Sequence, residues 1–440
     1  MQHFWFLLYN YLAIPAFWIL LRLLYPFKSK IRRGVRGRRK LFERLERQVQ
    51  TLKASRRIWF HSSSMGEFEQ AKPIIAALKK QYADLDIIVS FFSPSGYDHS
   101  RGYKSASLIT YLPFDTRANA RRFLDLIKPD GAIMVRYDVW PNHLWELRKR
   151  GIPAFIANAT LSRKSSRHSL LLRNFHRYLY NELTAILTVS ESDRKAFLEL
   201  GMDPGKLHTI GETRYDQVWQ RSLDARTKHL IPDALLQGKW VFVVGSSWDE
   251  DDEVLIPAFR RLAEEESRAL MILVPHEPTV ETLERVESKL NHRLRSIRFS
   301  ELNDYTNENV IVVDSIGSLT TLYRYAHVTY VGGSFRQGIH NVLEPAVYGV
   351  PILYGPKHHN SQEALELLRR GGSVEVLNPE DCYVHLSRFF HDEKARTTAG
   401  NIAGALVQEN LGATGRFMTF LANSLGNGAK NGIHNPPMHP

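Results

Sequence analysis

Two carboxylates and one arginine stand where apolar runs give way to turns, the places where an α/β chain usually carries its chemistry. Glu67 closes the segment SSSMGE, directly after the apolar run RIWFHS. Serines and a glycine at such a turn make a tight loop with free N–H groups. A carboxylate at its mouth can take a proton from an acceptor hydroxyl. The same spacing, Ser64 followed three residues on by Glu67, also reads as a capping box that only closes a helix. Asp138 ends the run VRYD ahead of Trp140-Pro141-Asn142, either as a site carboxylate or as a helix cap. Arg214, in GETRYD, can pair bidentately with phosphate or carboxylate. Its plainer reading is a salt bridge to Glu212 or Asp216.

A second group of residues points to phosphate. The stretch VGGSFRQGIHNVLEPAVYGVPILYGP, Val331 to Pro356, reads as a buried strand, a glycine turn, a short helix and a second buried strand. Asn341 caps a helix expected to begin at Val342, leaving free N–H groups and a positive dipole end for a phosphate. Glu344 lies where it binds either a ribose or its own helix end. GSSWDEDDE, VPH and DSIGSL also follow strands and offer further contacts to a nucleotide. The acids of GSSWDEDDE are read as a solvated helix start and not as a metal site.

The elements that must position these residues alternate strand and helix from Arg56 onward. RIWFHS, DIIVSFFS, SLITYLPF, GAIMVRYD, IPAFIANAT, AILTVS and KLHTIG are strand candidates in the first half. KWVFVVGSS, RALMILVPH, NVIVVDSIG, VTYVGGS, VPILYG and SVEVLN follow in the second. Strict alternation predicts mostly parallel sheets wrapped on both faces, with ligands beyond the carboxyl ends of the strands. No GxGxxG follows a first strand, which disfavours a dinucleotide oxidoreductase. The expected organisation is an anchor at 1–28, a Rossmann-like half at 29–220, a second Rossmann-like half at 221–425, and a disordered tail at 426–440. Two such halves facing a central cleft form the GT-B architecture.

Composition adds a location. The chain has 440 residues, 43% hydrophobic and 24% charged, enough for two domains. Its net charge of +12 favours anionic partners. A single cysteine, Cys382, excludes an internal disulfide framework. FWFLLYNYLAIPAFWILLRLLYPF, Phe4 to Phe27, has about the length that crosses a bilayer. Asn10, Pro15 and Arg22 interrupt it, so it either spans the membrane or lies in the interface. Eight basic residues and no acid follow between Lys28 and Lys40. That run puts the body of the protein on the cytoplasmic side, against anionic headgroups. Because it adjoins a membrane-length apolar run, nucleic acid is not the expected partner.

In order along the chain, SMGE (Ser64–Glu67), SPSGY (Ser93–Tyr97), WPN (Trp140–Asn142), GETRYD (Gly211–Asp216), GSS (Gly245–Ser247), HNVLEP (His340–Pro345) and YGP (Tyr354–Pro356) resemble the 3-deoxy-D-manno-octulosonic acid (Kdo) transferases of lipopolysaccharide assembly. The resemblance runs from the anchor to about Leu425. It implies a GT-B enzyme that moves Kdo from CMP-Kdo to the phosphorylated lipid A precursor at the cytoplasmic face of the inner membrane. It further implies inversion at the sugar, no cofactor, and no metal in the transfer. Glu67 then aligns with the catalytic base, and Asp138 and Arg214 with positions that stabilise the transition state. Pro275, His276, Ile316, Gly317, Ser318, Asn341, Val342, Leu343 and Glu344 fall on CMP-contacting segments. The chain departs from the family at Arg136 and Asp138, where glutamates are usual. It departs again at His276 for arginine, Ser318 for an acid, and Ile339 for glycine. The alternatives are a membrane-associated GT-B transferase using a UDP-sugar and a polyprenyl acceptor, or a non-catalytic nucleotide-sugar-binding protein.

Overall fold

The computed structural model describes residues 2–162, 165–290 and 293–428. Each apolar run of the first half becomes a strand because helices on both faces bury it. The strands are β1 (Arg56–Ser62), β2 (Leu85–Phe91), β3 (Leu108–Tyr111), β4 (Gly131–Val135), β5 (Ala154–Ala159), β6 (Ala185–Thr188) and β7 (Leu207–Thr209). All pair in parallel, in the order β3-β2-β1-β4-β5-β6-β7. The chain starts at β1, winds outward to β3, then crosses to β4 on the other side. That reversal opens a crevice at the carboxyl ends of β1 and β4. Trp59, Phe60, Ile87, Ile133 and Phe155 fill the core on the two faces.

The second sheet repeats the plan. Its strands are β8 (Trp240–Ser247), β9 (Ala269–Pro275), β10 (Ser296–Arg298), β11 (Val310–Val312), β12 (Val328–Val331), β13 (Ile352–Tyr354) and β14 (Ser373–Glu375). They run parallel in the order β10-β11-β9-β8-β12-β13-β14, with the reversal between β8 and β12. The short edge strand β10 lies in a stretch with no apolar run, and the sequence reading passes over it.

Two compact units result: Met1–Gln217 with Gly412–Pro440, and Val218–Leu411. The sequence reading carries the second half through 425, but the chain returns to the first unit earlier. Phe417 and Leu421 bury in the core of that unit. Asp216 accepts hydrogen bonds from the Gly412 and Thr414 N–H groups at 2.7 and 2.6 Å, fixing the start of the helix Ala413–Gly428. This helix takes in the first three residues, 426–428, of the expected tail, and 429–440 lie outside the described residues.

The N-terminal apolar segment is helical, with a π-helical turn at Tyr9–Ala13 just ahead of Pro15, whose ring and missing N–H disturb the regular ladder. Residues Phe4–Leu24 have a mean hydropathy of 1.7, so this helix is long and apolar enough to cross a membrane. One face rests on the first unit. Trp5 packs on Phe175 and Phe6 on Trp145, while the Tyr9 hydroxyl donates to Asp115 at 2.7 Å and Asn142 donates to Asn10 at 3.0 Å. Leu12, Ile19, Leu23 and Phe27 on the remaining surface are exposed. Two short basic helices, Ser29–Gly37 and Leu41–Val49, follow.

Candidate active site

At the first crevice, β1 delivers the serine loop and β4 delivers Asp138. Glu67 sits in the first turn of the helix Met65–Gln81, nearly buried. Its Oε2 accepts from the Ser63 N–H at 2.5 Å and the Ser64 N–H at 3.2 Å, so the carboxylate side of the expected capping box forms. Burial pushes the Glu67 carboxyl above its ordinary value, and the neighbouring Asp138 charge adds to that. The two N–H groups and His61 pull the other way without cancelling the rise.

Asp138 is set oppositely. Burial alone would raise it, but hydrogen bonds from His61, Ser63 and Trp140, with the His61 charge interaction, hold it below the usual carboxylate value. Two neighbouring carboxyls with values pushed apart are a common basis for dividing acid, base and charge-stabilising roles. Trp59 Nε1 donates to Ser90 Oγ at 2.8 Å, and the His61 ring bridges Ser90 Oγ (Nδ1, 2.9 Å) and Asp138 (Nε2, 2.7 Å). Ser63 Oγ and Trp140 Nε1 donate to the same carboxylate. Arg136, between β4 and Asp138, adopts φ 65°, a left-handed conformation that is costly for a side-chain-bearing residue and turns the chain sharply at the crevice.

Arg214 lies at the start of the helix Thr213–Arg226, after β7. It pairs with the nearly buried Glu212, Nε to Oε1 at 3.4 Å, as the plainer sequence reading has it. Gln70, one turn beyond Glu67, donates to the same Glu212 at 3.3 Å. Asn158 accepts the Thr213 N–H at 3.0 Å, and the Thr213 hydroxyl donates to the Gln70 carbonyl at 2.6 Å. The loop carrying Arg214 is thereby tied to the helix carrying Glu67.

The second unit gathers its polar groups at the reversal between β8 and β12. A cavity of about 220 Å3 is lined by Ser246, Tyr323, Val331, His340, Asn341 and Glu344, with Leu319. Ser246 also has positive φ, 56°. Gly332 is required by close approach: a Cβ there would stand 2.2 Å from the Ser246 carbonyl oxygen. Beside the cavity, His276 lies flat between Trp248 (4.4 Å between ring centres) and His340 (4.6 Å), and Trp248 Nε1 donates to His340 at 3.1 Å. Burial lowers both histidines, His340 to about 4 with His276 contributing, so both rings are neutral near pH 7. The stack offers flat faces and ring edges to a nucleotide.

Several expectations change here. The helix after Asn341 is a single turn, Leu343–Ala346, so its dipole is small and local N–H groups remain the available feature. Asn341 Oδ1 accepts from Leu343 N at 3.2 Å, and Glu344 accepts the Asn341 amide at 3.3 Å. Val342 and Leu343 are buried, leaving only their backbone to meet a ligand. Ile316 is exposed, Gly317 turns with φ 88°, and the buried Ser318 Oγ has no hydrogen-bond partner among the described residues. Pro275 ends β9 beside His276. Ile339 is accommodated because the glycine conformation falls one residue earlier, on Gly338 at φ 132°.

The acids of GSSWDEDDE begin the helix Asp249–Glu265 as read, but two of them are not solvated. Asp251 and Asp252 are buried. Asp251 accepts from Gly333 N at 2.8 Å, Tyr330 Oη at 2.7 Å and Trp248 N at 2.9 Å, pinning the glycine loop to the end of β8. Burial raises Asp252 to about 7, with the Asp251 and Asp249 charges adding to it. No cluster of metal-ligating side chains occurs among the described residues. His61, Trp248 and Tyr323 are the site residues that sequence reasoning misses. The visible signal for His61 was a polar ring at the end of an otherwise apolar strand.

Known proteins resemble this chain in sequence and in fold. Residues 39–217 match the family profile described as 3-deoxy-D-manno-octulosonic-acid transferase. The 3-deoxy-D-manno-octulosonic acid transferase of Haemophilus influenzae is 28% identical over 371 residues, covering 83% of this chain and 86% of that protein. That of Chlamydophila psittaci is 28% identical over 369 residues, covering 76% and 82%. Among solved structures, UDP-GlcNAc 2-epimerase from Neisseria meningitidis (TM-score 0.57, 14% identity, 83% of this chain and 100% of that one) shares the fold. So does a glycosyltransferase from Rickettsia africae (TM-score 0.56, 12% identity, 84% and 99%). The two parallel sheets are therefore of the GT-B type. With a profile match over residues 39–217 and 28% identity to curated relatives across most of the chain, the protein is similar to the Kdo transferases, a family of glycosyltransferases.

Proposed function

We propose that the protein transfers Kdo from CMP-Kdo to a phosphorylated lipid A precursor at the cytoplasmic face of the inner membrane, with inversion and without a metal ion. The observation that carries this reading is the Glu67 carboxyl at the carboxyl end of β1, raised by burial and by Asp138. Glu67 takes the proton of a primary sugar hydroxyl as that oxygen bonds to the anomeric carbon of Kdo, while the bond from that carbon to the phosphate oxygen breaks and CMP leaves with its electron pair. Asp138, held ionised by His61 and its partners, keeps Glu67 a stronger base and stabilises developing positive charge on the sugar. Arg214, released from part of its pairing with Glu212, meets anionic charge in the transition state.

On the donor side, CMP is held by the second unit. Pro275 and His276, Ile316 to Ser318, and Asn341 to Glu344 supply the contacts, with the backbone N–H group of Val342 facing phosphate. Lipid delivery is supported by the apolar N-terminal helix, the basic helices after it, and a mostly apolar cavity of about 370 Å3. Leu21, Val35 and Phe114 line that cavity, and it reaches Ser63 and Ser64, the residues that hold Glu67.

The test is a donor panel on the full chain with a lipid A precursor as acceptor, read by product mass in the presence of a chelator. A mass gain of one or more Kdo units from CMP-Kdo, and none from UDP-sugars, is expected. Transfer from a UDP-sugar alone contradicts the assignment.

A further inference from the structure

Two lines of contact run from the apolar N-terminal helix to Trp140, whose indole reaches the Asp138 carboxylate. The first line is polar. Asp115, buried in the loop after β3, accepts from the backbone N–H groups of Asn142 at 3.0 Å and His143 at 3.1 Å. It caps the helix Pro141–Lys149 from outside, because Trp140 at the cap position brings no side-chain acceptor. The buried His143 ring lies 2.6 Å from the same carboxylate. The apolar helix completes the joint: the Tyr9 hydroxyl donates to Asp115, and Asn10 Oδ1 accepts from the Asn142 side chain.

The second line is aromatic. Trp18 packs on Phe114 at 4.7 Å between ring centres, Phe114 on Phe92 at 6.4 Å, and Phe92 stacks on Trp140 at 4.6 Å. Trp140 Nε1 then lies 3.2 Å from Asp138 and 3.1 Å from His61 Nε2. The π-helical turn at Tyr9–Ala13 serves both lines. It holds an extra residue, which turns the face that follows back by about 100° and keeps Phe17, Trp18 and Leu21 on the side that carries Tyr9.

We propose that docking of the apolar helix sets Trp140 against Asp138, which makes Tyr9, Asn10 and Trp18 positioning residues for the Glu67–Asp138 pair. The effect on the reaction rests on the function proposed above; the effect on Trp140 does not. The Trp140 N–H is one of the donors that hold Asp138 low, and the Asp138 charge is one cause of the raised Glu67 carboxyl. A Trp140 that draws back leaves more of the Asp138 charge felt at Glu67, so Glu67 rises further while Asp138 loses its orientation.

NMR of the indole N–H groups in the intact chain in detergent tests the joint, with the Trp140 signal assigned by its loss in Trp140→Phe. Tyr9→Phe with Asn10→Leu is expected to shift that signal with circular dichroism unchanged. The same variant is expected to lower kcat about tenfold on detergent-dispersed acceptor and to move the acid limb of kcat/KM to higher pH. Added to Trp140→Phe, the two changes are expected to lower kcat no further. Trp18→Ala should act as Tyr9→Phe with Asn10→Leu does, and Trp18→Phe, which keeps a ring on Phe114, should restore the signal. Leu12→Ala with Leu23→Ala alters exposed residues of the same helix and should leave the Trp140 signal and the acid limb in place. A Trp140 signal unmoved by the Tyr9 and Asn10 changes, or moved equally by the Leu12 and Leu23 changes, overturns the proposal. So does an acid limb that stays in place while the signal shifts. An intact chain that transfers no Kdo contradicts the proposed function instead, and the indole signal still decides the joint.

Discussion

At the scale of single residues, the decisive feature is the separation of two neighbouring carboxyls. Glu67 is raised mainly by burial and further by Asp138, while Asp138 is held low by its hydrogen-bond donors. If Glu67 is the base, the acid limb of kcat/KM reports its deprotonation and lies above the ordinary glutamate value of about 4.3. Asp138→Asn removes the repulsion but not the burial, so the limb moves to lower pH while the rate falls. A pH profile whose limb stays in place or moves upward contradicts this electrostatic account. A second titration belongs to stability. The folded-state value of Asp252, about 7, exceeds the unfolded value of about 3.9, so the folded protein holds that proton more tightly. The contribution is full below the unfolded value and is lost as pH rises through about 7. Urea unfolding should show stability falling by up to a few kcal/mol between about pH 4 and 8, with a flatter dependence in Asp252→Asn. Equal slopes in both proteins contradict it.

At the scale of elements, the order of the strands decides which residues meet. Glu67 and Asp138 were legible because each follows an apolar run, and strand ends in a doubly wound sheet are where ligands bind. The His61–Asp138 bond was not legible, since it joins residues 77 apart through the crossover that sets β4 beside β1. The stack of Trp248, His276 and His340 depends likewise on β8 lying between β9 and β12. Asp251 and Asp252 read as solvated because acids favour helix starts; the glycine loop that bonds Asp251 is distant in sequence. The WPN segment joins two roles, Trp140 bonding Asp138 while Asn142 bonds Asn10 of the apolar helix. Removing residues 2–27 uncovers Trp145 and Phe175 and takes Tyr9 from Asp115. The shortened protein is expected to fold with about 1–3 kcal/mol less stability, to act on detergent-dispersed acceptor, and to sediment less with membranes. Sedimentation equal to that of the intact chain contradicts the anchoring role.

At the scale of the whole molecule, two parallel sheets each present a crevice at their reversal, one with the buried Glu67 carboxyl and one with stacked rings and glycine loops. Most strands were readable because burial on both faces demands apolar runs; the edge strand β10, half-buried throughout, escapes that demand. The return of the last helix to the first unit was not readable, because its apolar face fits either core by composition. The account rests on one carboxylate acting as base, so the most direct measurement pairs turnover with donor binding in Glu67→Gln. The expected result is a fall in kcat of about 10²–10⁴-fold with CMP affinity unchanged, since the substitution removes the base and keeps the shape. A Glu67→Gln protein that binds CMP and transfers Kdo at a near-normal rate contradicts the central claim.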